Sequence, residues 1–469
     1  MNENINIYWF RLDLRILDNP AFYNAALENK VIPIYILDDV NGDNLIGSAS
    51  KVWLHESLKV LNKKLNGNIL FFSGDPKKII KDLVDNYNPK GFYWNRLYDQ
   101  YSITRDMKIK EFLSKSNIKV KSYSASLLIE PWENLKEDNT PYKVFTPFYK
   151  KAYLSNDINY KIYSLPNLNN MFETKNTKNT LDALKLVPQH KWVEKVLTDW
   201  KIGEKHALNK FNSFLINKAA NYKEGRNFPA KNSVSFLSPH IHFGEISPKY
   251  IWKETKKKQM NKDLLHFLRE LGWREFSYYL LYHFPSLPEV NLQKKFDNFP
   301  WCNNKKYFCL WKKGLTGYPI VDAGMRELYQ TGYMNNRVRM IVASFLVKNL
   351  LIHWREGKKW FWECLFYADL ANNSASWQWV AGSGADAAPY FRIFNPILQA
   401  KKFDPYGKYI KKYVPELRKL ENKYLFSPWE APSEILKKSN IVLGLNYPKP
   451  IVDLKESRNA ALLAYGSLK

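Results

Sequence analysis

Between residues 5 and 123 the chain repeats one unit, a short apolar run followed by an amphipathic stretch. INIYWF at 5–10, VIPIYIL at 31–37, NILFF at 68–72, GFYW at 91–94 and KVKSY at 119–123 have the length and composition of strands. The stretches 20–29, 50–66, 76–87 and 101–116 between them read as helices. Strands that alternate with helices form a parallel, doubly wound sheet covered on both faces. No GxGxxG follows the first run, so the dinucleotide fingerprint is missing and a nucleotide-binding dehydrogenase is disfavoured. The pattern changes at 131–195, where Pro131, Pro141, Pro147, Pro166 and Pro188 and the polar run 167–179 read as a long crossing linker. From 196 to 469 the apolar spacing is helical, without an internal repeat. The expected organisation is an α/β domain at 1–130, a linker at 131–195 and an all-helical domain at 196–469.

Charge narrows the partners. The chain carries 71 basic and 45 acidic residues, a formal net charge of +26, which points to a polyanion, with nucleic acid ahead of an anionic membrane. A Lys-, Asn- and Ile-rich composition, such as a biased genome gives, accounts for part of that excess. Cys302, Cys309 and Cys364 show no CxxC spacing, so neither a disulfide framework nor a thiolate metal site is expected, and a reducing, cytoplasmic setting fits. The first residues, MNENINIYWFRLDLR, contain no apolar signal core. The longest apolar helical run, Met340 to Trp354, is broken by Lys348 and is too short to span a bilayer.

The densest chemistry lies between Trp354 and Gln399. Five tryptophans (354, 360, 362, 377, 379) crowd into 26 residues beside Asp369, Asn372, Asn373 and Asp386. Large rings interleaved with amides and carboxylates suit a pocket for a flat, polar-edged aromatic group, although an aromatic helical core accounts for them equally well. Three other stretches are similarly two-sided. In KNSVSFLSPHIHFGEISP (231–248), Ser233, Ser235 and Ser238 can hold a phosphate or simply cap a helix. His240 and His242 lack a nearby third metal ligand. In 266–285, Glu270, Trp273, Arg274 and Ser277 share one helical face, where Glu270 could pair with Arg274. In 331–340, Asn336 and Met340 share a face on which an amide could read a base edge, or the stretch is only a polar helix start.

Long ordered motifs decide among these readings. GLTGYPIVDAGMREL at 314–328, TGYMNNRVRMIVASFLVK at 331–348 and SWQWVAGSGADAAPYFRIFNP at 376–396 resemble the DNA photolyases of the photolyase/cryptochrome family, and the likeness runs from Trp9 to about Leu417. The resemblance implies a class I, cyclobutane-type repair enzyme acting on damaged DNA as a monomer. Its α/β domain would be able to hold a folate or deazaflavin antenna, and its helical domain would bind FAD. It implies FAD contacts from Tyr222, Val234, Ser235, Phe236, Leu237, Ser238, Phe267, Arg274, Arg339, Tyr367, Asp369 and Asn373. Glu270, Trp273, Asn336, Met340 and Trp379 would line the lesion pocket, with Glu270 stabilising the charged intermediate. Arg226, Arg274, Arg337 and Gln399 would join Glu270, Trp273 and Asn336 in meeting DNA, and Trp301, Trp354 and Trp377 would relay electrons inward. No metal is implied.

The chain departs from the family pattern at four positions. Val234 stands where Thr is usual, Phe267 where Trp is often found, Asn335 where cyclobutane enzymes carry His, and Tyr367 where Asp commonly pairs with the arginine matching Arg339. The paired histidines of enzymes acting on the (6-4) lesion are absent, which lowers that alternative. A blue-light photoreceptor of the cryptochrome type is the second alternative, set against the retained lesion residues. A flavin-free nucleic-acid-binding protein is the third.

Overall fold

The computed structural model describes residues 4–27, 29–40, 45–155, 160–174, 178–187 and 192–468. By proximity the chain divides into a sheet unit (1–193, 200–219 and 235–285) and a helical unit (194–199, 220–234 and 286–469). The division does not follow the expected domain limits: the long helix Lys262–His283 belongs to the sheet unit.

In the sheet unit, β1 (Ile5–Phe10), β2 (Lys30–Leu37), β3 (Leu70–Ser73), β4 (Gly91–Asn95) and β5 (Lys119–Tyr123) form a five-stranded sheet in the order β3-β2-β1-β4-β5. Every pairing is parallel, with Trp9 opposite Ile34 on one side and Trp94 on the other. All residues of β1 and β4 are buried, which is why these strands read as unbroken apolar runs. β3 starts two residues later than the apolar run does, because the Ile69 amide donates to Asn62 Oδ1 and the Asn68 amide to Leu65 O, both at the end of the preceding helix Ser48–Lys64. The first helix, Pro20–Ala25, opens with Asn19 accepting from the Phe22 amide and Pro20 in its first turn.

Strand order reverses between β1 and β4, the place where open α/β sheets bind ligands. In place of a glycine-rich turn this crevice holds a buried ion network. Arg11 Nη1 meets Asp106 Oδ2 at 2.5 Å, Arg105 bridges Asp106 (2.8 Å) and Asp38 (2.9 Å), and both guanidiniums lie over the Trp9 ring. Burial raises the Asp106 carboxyl, but Arg11 and Arg105 outweigh it and hold the group below its ordinary value.

The proline-rich stretch expected to be a crossing linker is packed into the sheet unit. Phe145 and Phe148 are buried, Tyr153 lies 5.2 Å from Trp252, and Met171 bridges to Val31 at the sheet. Its aromatic residues give it an anchor that prolines and asparagines alone would not. Pro188 lies outside the described residues.

In the helical unit the described elements are helices and turns around one core that includes Trp311, Met325, Val338, Trp354, Phe361 and Trp377. The apolar run from Met340 is not one helix. Asn336–Ser344 passes into a π-helical turn, Phe345–Asn349, and Leu351 turns the backbone at φ +52° before Trp354–Cys364 begins. Among the described residues no helix is long and apolar enough to cross a membrane.

One buried acid gives this unit a pH signature. Glu327, 7% exposed, accepts from Tyr409 Oη at 2.6 Å and Tyr413 Oη at 3.5 Å. Burial pushes its carboxyl from 4.5 to about 7, with the tyrosine hydrogen bonds pulling the other way. The folded chain therefore binds this proton more tightly than the unfolded chain does, and the associated stability is lost as pH rises from 4.5 through 7. Glu327→Gln removes the titration and keeps an acceptor. Over that window the wild type should lose about 3 kcal/mol relative to the variant, read by denaturant unfolding at pH 5 and pH 8. A pH-independent difference between the two would contradict the assignment.

Candidate functional site

The residues singled out from the sequence fall in both units, and each group has its own geometry. In the helical unit, Asn373 and Asp369 belong to Leu370–Ala381. Asp369 caps that helix, its Oδ1 accepting from the Asn372 amide and from Asn372 Nδ2, both at 2.7 Å. Asn373 is 6% exposed, and its Nδ2 donates to the Lys358 carbonyl at 3.1 Å, leaving Oδ1 as the acceptor it offers. Lys358 is itself pinned, with Nζ 2.6 Å from Pro288 O and 2.7 Å from Glu289 Oε1. The orienting group is a main-chain carbonyl, so no sequence pattern could have named it.

The loss of the usual Asp at 367 does not leave Arg339 alone. Arg339 Nη2 donates to Tyr367 Oη at 2.7 Å, and the guanidinium lies over the rings of Tyr367 and Phe361. Burial raises the Tyr367 phenol above its ordinary value despite the neighbouring Arg339, so the partner is neutral where a carboxylate would have cancelled the charge. Arg339 Nε is buried and reaches no acceptor. A positive group with a spare donor and an amide held in one orientation are each suited to the polar edge of an isoalloxazine, and on these observations the residues fit FAD.

Tyr222 is buried under Arg226, whose guanidinium lies 5.6 Å from its ring. Val234 is half-buried in the loop after Ser233, and Ser233 packs so closely on Gly225 that a Cβ there would lie 2.6 Å from it.

Asn335 caps Asn336–Ser344, its Oδ1 accepting from the Arg337 amide at 2.9 Å and its Nδ2 donating to Arg226 O at 3.2 Å. That cap leaves Asn336 exposed at the helix start, with Met340 half-buried one turn on. Arg337 Nη2 donates to Asn227 Oδ1 at 2.7 Å, and its guanidinium stacks 4.5 Å from Phe403, the last residue of the helix Pro396–Phe403 that carries Gln399. Burial, and then the charge of Arg226, lower the Arg337 pKa. The two arginines thus stand near each other, and Gln399 is half-buried on the helix that ends at Phe403, a grouping of the residue types that meet phosphates.

Trp377 packs on the helix that Trp354 opens, at a glycine. Trp354 opens Trp354–Cys364, and its Nε1 donates to Asn291 Oδ1 at 2.9 Å. Gly357, three residues on, lies against the Trp377 ring so closely that a Cβ there would be 2.1 Å away. Trp301 connects through His353, at ring separations of 4.9 Å to Trp301 and 5.5 Å to Trp354. Trp379, two residues past Trp377, is half-buried.

In the sheet unit, Ser235 and Ser238 flank a tight loop. Phe236 takes φ +54°, the Leu237 amide donates to Ser235 Oγ at 3.4 Å, and Leu237 is 1% exposed. Phe267 is buried, 4.6 Å from the Phe214 ring. Glu270 and Trp273 stand on Lys262–His283. Trp273 has one face covered by Phe145, with ring centroids 3.6 Å apart and planes 9° from parallel, and remains half-buried. Gly272 beside it admits the Tyr149 ring, which a Cβ would meet at 2.4 Å. Glu270 Oε1 faces His266 Nε2 at 3.4 Å.

Arg274, for which the sequence suggested a pairing with Glu270 and contacts to cofactor and DNA, donates to Ser126 O at 2.8 Å and to Glu275 Oε1 at 2.9 Å. Burial pushes the Glu275 carboxyl up to about 7, with Arg274 and the amides of Leu128 and Ile129 opposing it. His240 likewise has a structural partner in Glu245, whose other oxygen accepts from Trp53 Nε1. Among the described residues, no group of three or more His, Cys, Asp or Glu side chains could hold a metal.

Comparison with known proteins adds to this geometry. The family described as DNA photolyase matches residues 6–162, and the family described as the FAD binding domain of DNA photolyase matches residues 267–467. A deoxyribodipyrimidine photo-lyase of Agrobacterium fabrum is 45% identical over 99% of this chain and 98% of its own length. Cryptochrome-2 of Arabidopsis thaliana is 36% identical over 96% of this chain and 77% of its own length. A crystal structure titled as a bacterial class III photolyase from Agrobacterium tumefaciens superposes with a TM-score of 0.94 at 44% identity, covering 100% of this chain and 98% of that one.

Proposed function

Because the chain belongs to the photolyase/cryptochrome family and carries its FAD-binding domain, we propose that it opens cyclobutane pyrimidine dimers in DNA under blue light. FAD, when bound, supplies light absorption and the one electron lent to the lesion and returned. The rest of the work falls to the chain. Arg339 and Asn373 would hold the flavin, the fixed amide presenting Oδ1 as an acceptor. Trp273 in the sheet unit and Trp379 in the helical unit each present a half-buried indole face, the kind of surface that replaces the stacking an extruded base loses. Glu270 hydrogen-bonds the pyrimidine and stabilises its charge. Trp301, Trp354 and Trp377 would carry electrons inward through the helical unit.

The observation that carries the reading is the end of the helix Asn336–Ser344, where an exposed Asn336 and Met340 stand beside the Arg226–Arg337 pair. That places a group able to read a base edge next to a group able to hold a phosphate, so affinity can come from the backbone and selectivity from the base. Asn335 spends its amide on capping, which argues against the histidine chemistry of the (6-4) enzymes. The class I label gains nothing from the comparisons, since a similar crystal structure is titled a class III photolyase. Arg11 Nε and Nη2 and Trp9 Nε1 are buried donors without partners at the β1–β4 crevice, and they mark where an antenna pigment would be sought.

The test is direct. Purified, reduced protein is illuminated with blue light on DNA containing either cyclobutane or (6-4) lesions. Thymine absorbance should return only with the cyclobutane substrate. Recovery confined to the other lesion would reassign the substrate. A flavin-loaded protein that repairs neither would leave the photoreceptor reading, which the likeness to a plant cryptochrome keeps in play.

A further inference from the structure

Arg339 is a cation held by neutral groups. It stands on the helix Asn336–Ser344, and two aromatic residues of the same unit take its side chain. Nη2 donates to Tyr367 Oη at 2.7 Å, and the guanidinium lies 5.2 Å from the Tyr367 ring and 5.7 Å from the Phe361 ring. Its Nε is buried without an acceptor. We propose that Tyr367 sets the reduction potential of the bound FAD, by meeting Arg339 with an uncharged oxygen and so leaving one positive charge uncancelled at the flavin. The proposal rests on the reading that Arg339 holds that cofactor.

The contacts of Tyr367 suit the neutral phenol. Its Oη accepts from Arg339, and the Met334 carbonyl lies 3.5 Å from the same oxygen, an acceptor that only a protonated phenol can use. Burial raises the phenol above its ordinary value, Arg339 pulls the other way, and the charge of Glu327 adds to the rise. Glu327 gives its own oxygens to Tyr409 and Tyr413. The guanidinium does not lose its charge by giving up a proton, because arginine stays protonated in proteins.

The sign of the effect follows from Coulomb's law. Reduction brings electrons to the flavin, so an uncancelled cation beside it favours the reduced form and a carboxylate at 367 would oppose it. An opposite charge within about 4–6 Å moves a neighbouring ionisation equilibrium by about 10- to 1,000-fold, and an added electron feels the same field. Tyr367 therefore makes the reduced cofactor easier to reach and slower to lose to oxidants. The same field holds back the electron that is lent to the lesion, so the gain in resting stability is set against driving force for repair.

The experiment is a reductive titration of the protein with FAD in excess, against a dye of known potential. Dithionite supplies the electrons and is oxidised to sulfite, and water supplies the protons. Tyr367→Asp should lower the electron affinity of the bound flavin about tenfold, which is about 59 mV for a one-electron couple. Tyr367→Asn opens the same space without the charge and should shift it by less than about threefold. Arg339→Gln, which removes the cation instead, should move the potential in the same direction as the aspartate does. Equal potentials in the Asp and Asn variants would overturn the proposal. So would an unshifted potential in Arg339→Gln, which decides the matter if the aspartate variant does not fold. A wild type that takes up no FAD would remove the cofactor reading and the proposal together. A flavin-loaded protein whose potential ignores these charges keeps the reading and loses only the proposal.

Discussion

Replacing Glu270 with alanine should lower the yield of dimer opening per absorbed photon by on the order of 10²-fold, comparable to removing one preorganised group from a developing charge. DNA affinity should move little, and if it moves it should tighten. An ionised carboxylate repels a polyanion, so its removal takes away repulsion, while the phosphate contacts proposed for Arg226 and Arg337 are untouched. The side chain is 27% exposed and faces His266 rather than the core, so truncation leaves no buried cavity to confuse the result. Glu270→Gln, which keeps hydrogen-bonding capacity and loses charge, should fall between the two. The check is single-turnover repair of a dimer-containing oligonucleotide beside a binding titration at fixed salt. An equal loss in repair and in binding would contradict the role.

The second large effect is on stability. Asp322 is fully buried and accepts four hydrogen bonds: from the Thr316 amide (2.6 Å), Thr316 Oγ1 (2.7 Å), the Gly317 amide (3.1 Å) and Tyr447 Oη (2.9 Å). Burial raises its carboxyl and these donors offset part of the rise. Asp322→Ala strands all four donors at once and should cost about 3–5 kcal/mol, since each buried orphan costs roughly 1–3 kcal/mol. Asp322→Asn keeps one acceptor oxygen and should cost about 1–2 kcal/mol. Denaturant midpoints of the FAD-loaded protein decide it. A cost below about 1 kcal/mol for the alanine variant would mean that the loop 314–318 is held by something else.

Asp322 also shows what a motif can and cannot tell. It lies inside GLTGYPIVDAGMREL, one of the runs that carried the family resemblance, yet it ties a loop to Tyr447 and touches none of the candidate site residues. The strands were legible almost to the residue, because a parallel sheet covered on both faces forces continuous apolar runs. What escaped was anything made by main chain or by reach. The late start of β3 follows from Asn62 claiming the Ile69 amide. The break in the apolar run after Met340 follows from a π-helical turn and the positive φ of Leu351. Asn373 could be singled out, but not the Lys358 carbonyl that fixes its amide. Tyr367 looked like a lost partner for Arg339, because an alignment of residue types cannot register that a phenol is long enough to make the same hydrogen bond. Arg274 shows the same limit, since helical spacing could not name the Ser126 carbonyl and the adjacent Glu275 that its guanidinium meets.

The contact of Trp377 with bare backbone at Gly357 carries a consequence for redesign. The seat of that indole is cut by main chain rather than by a side chain, so exchanging side chains around it leaves this face of the ring where it is. Adding a single methyl at Gly357 would instead force the ring or the helix Trp354–Cys364 to move.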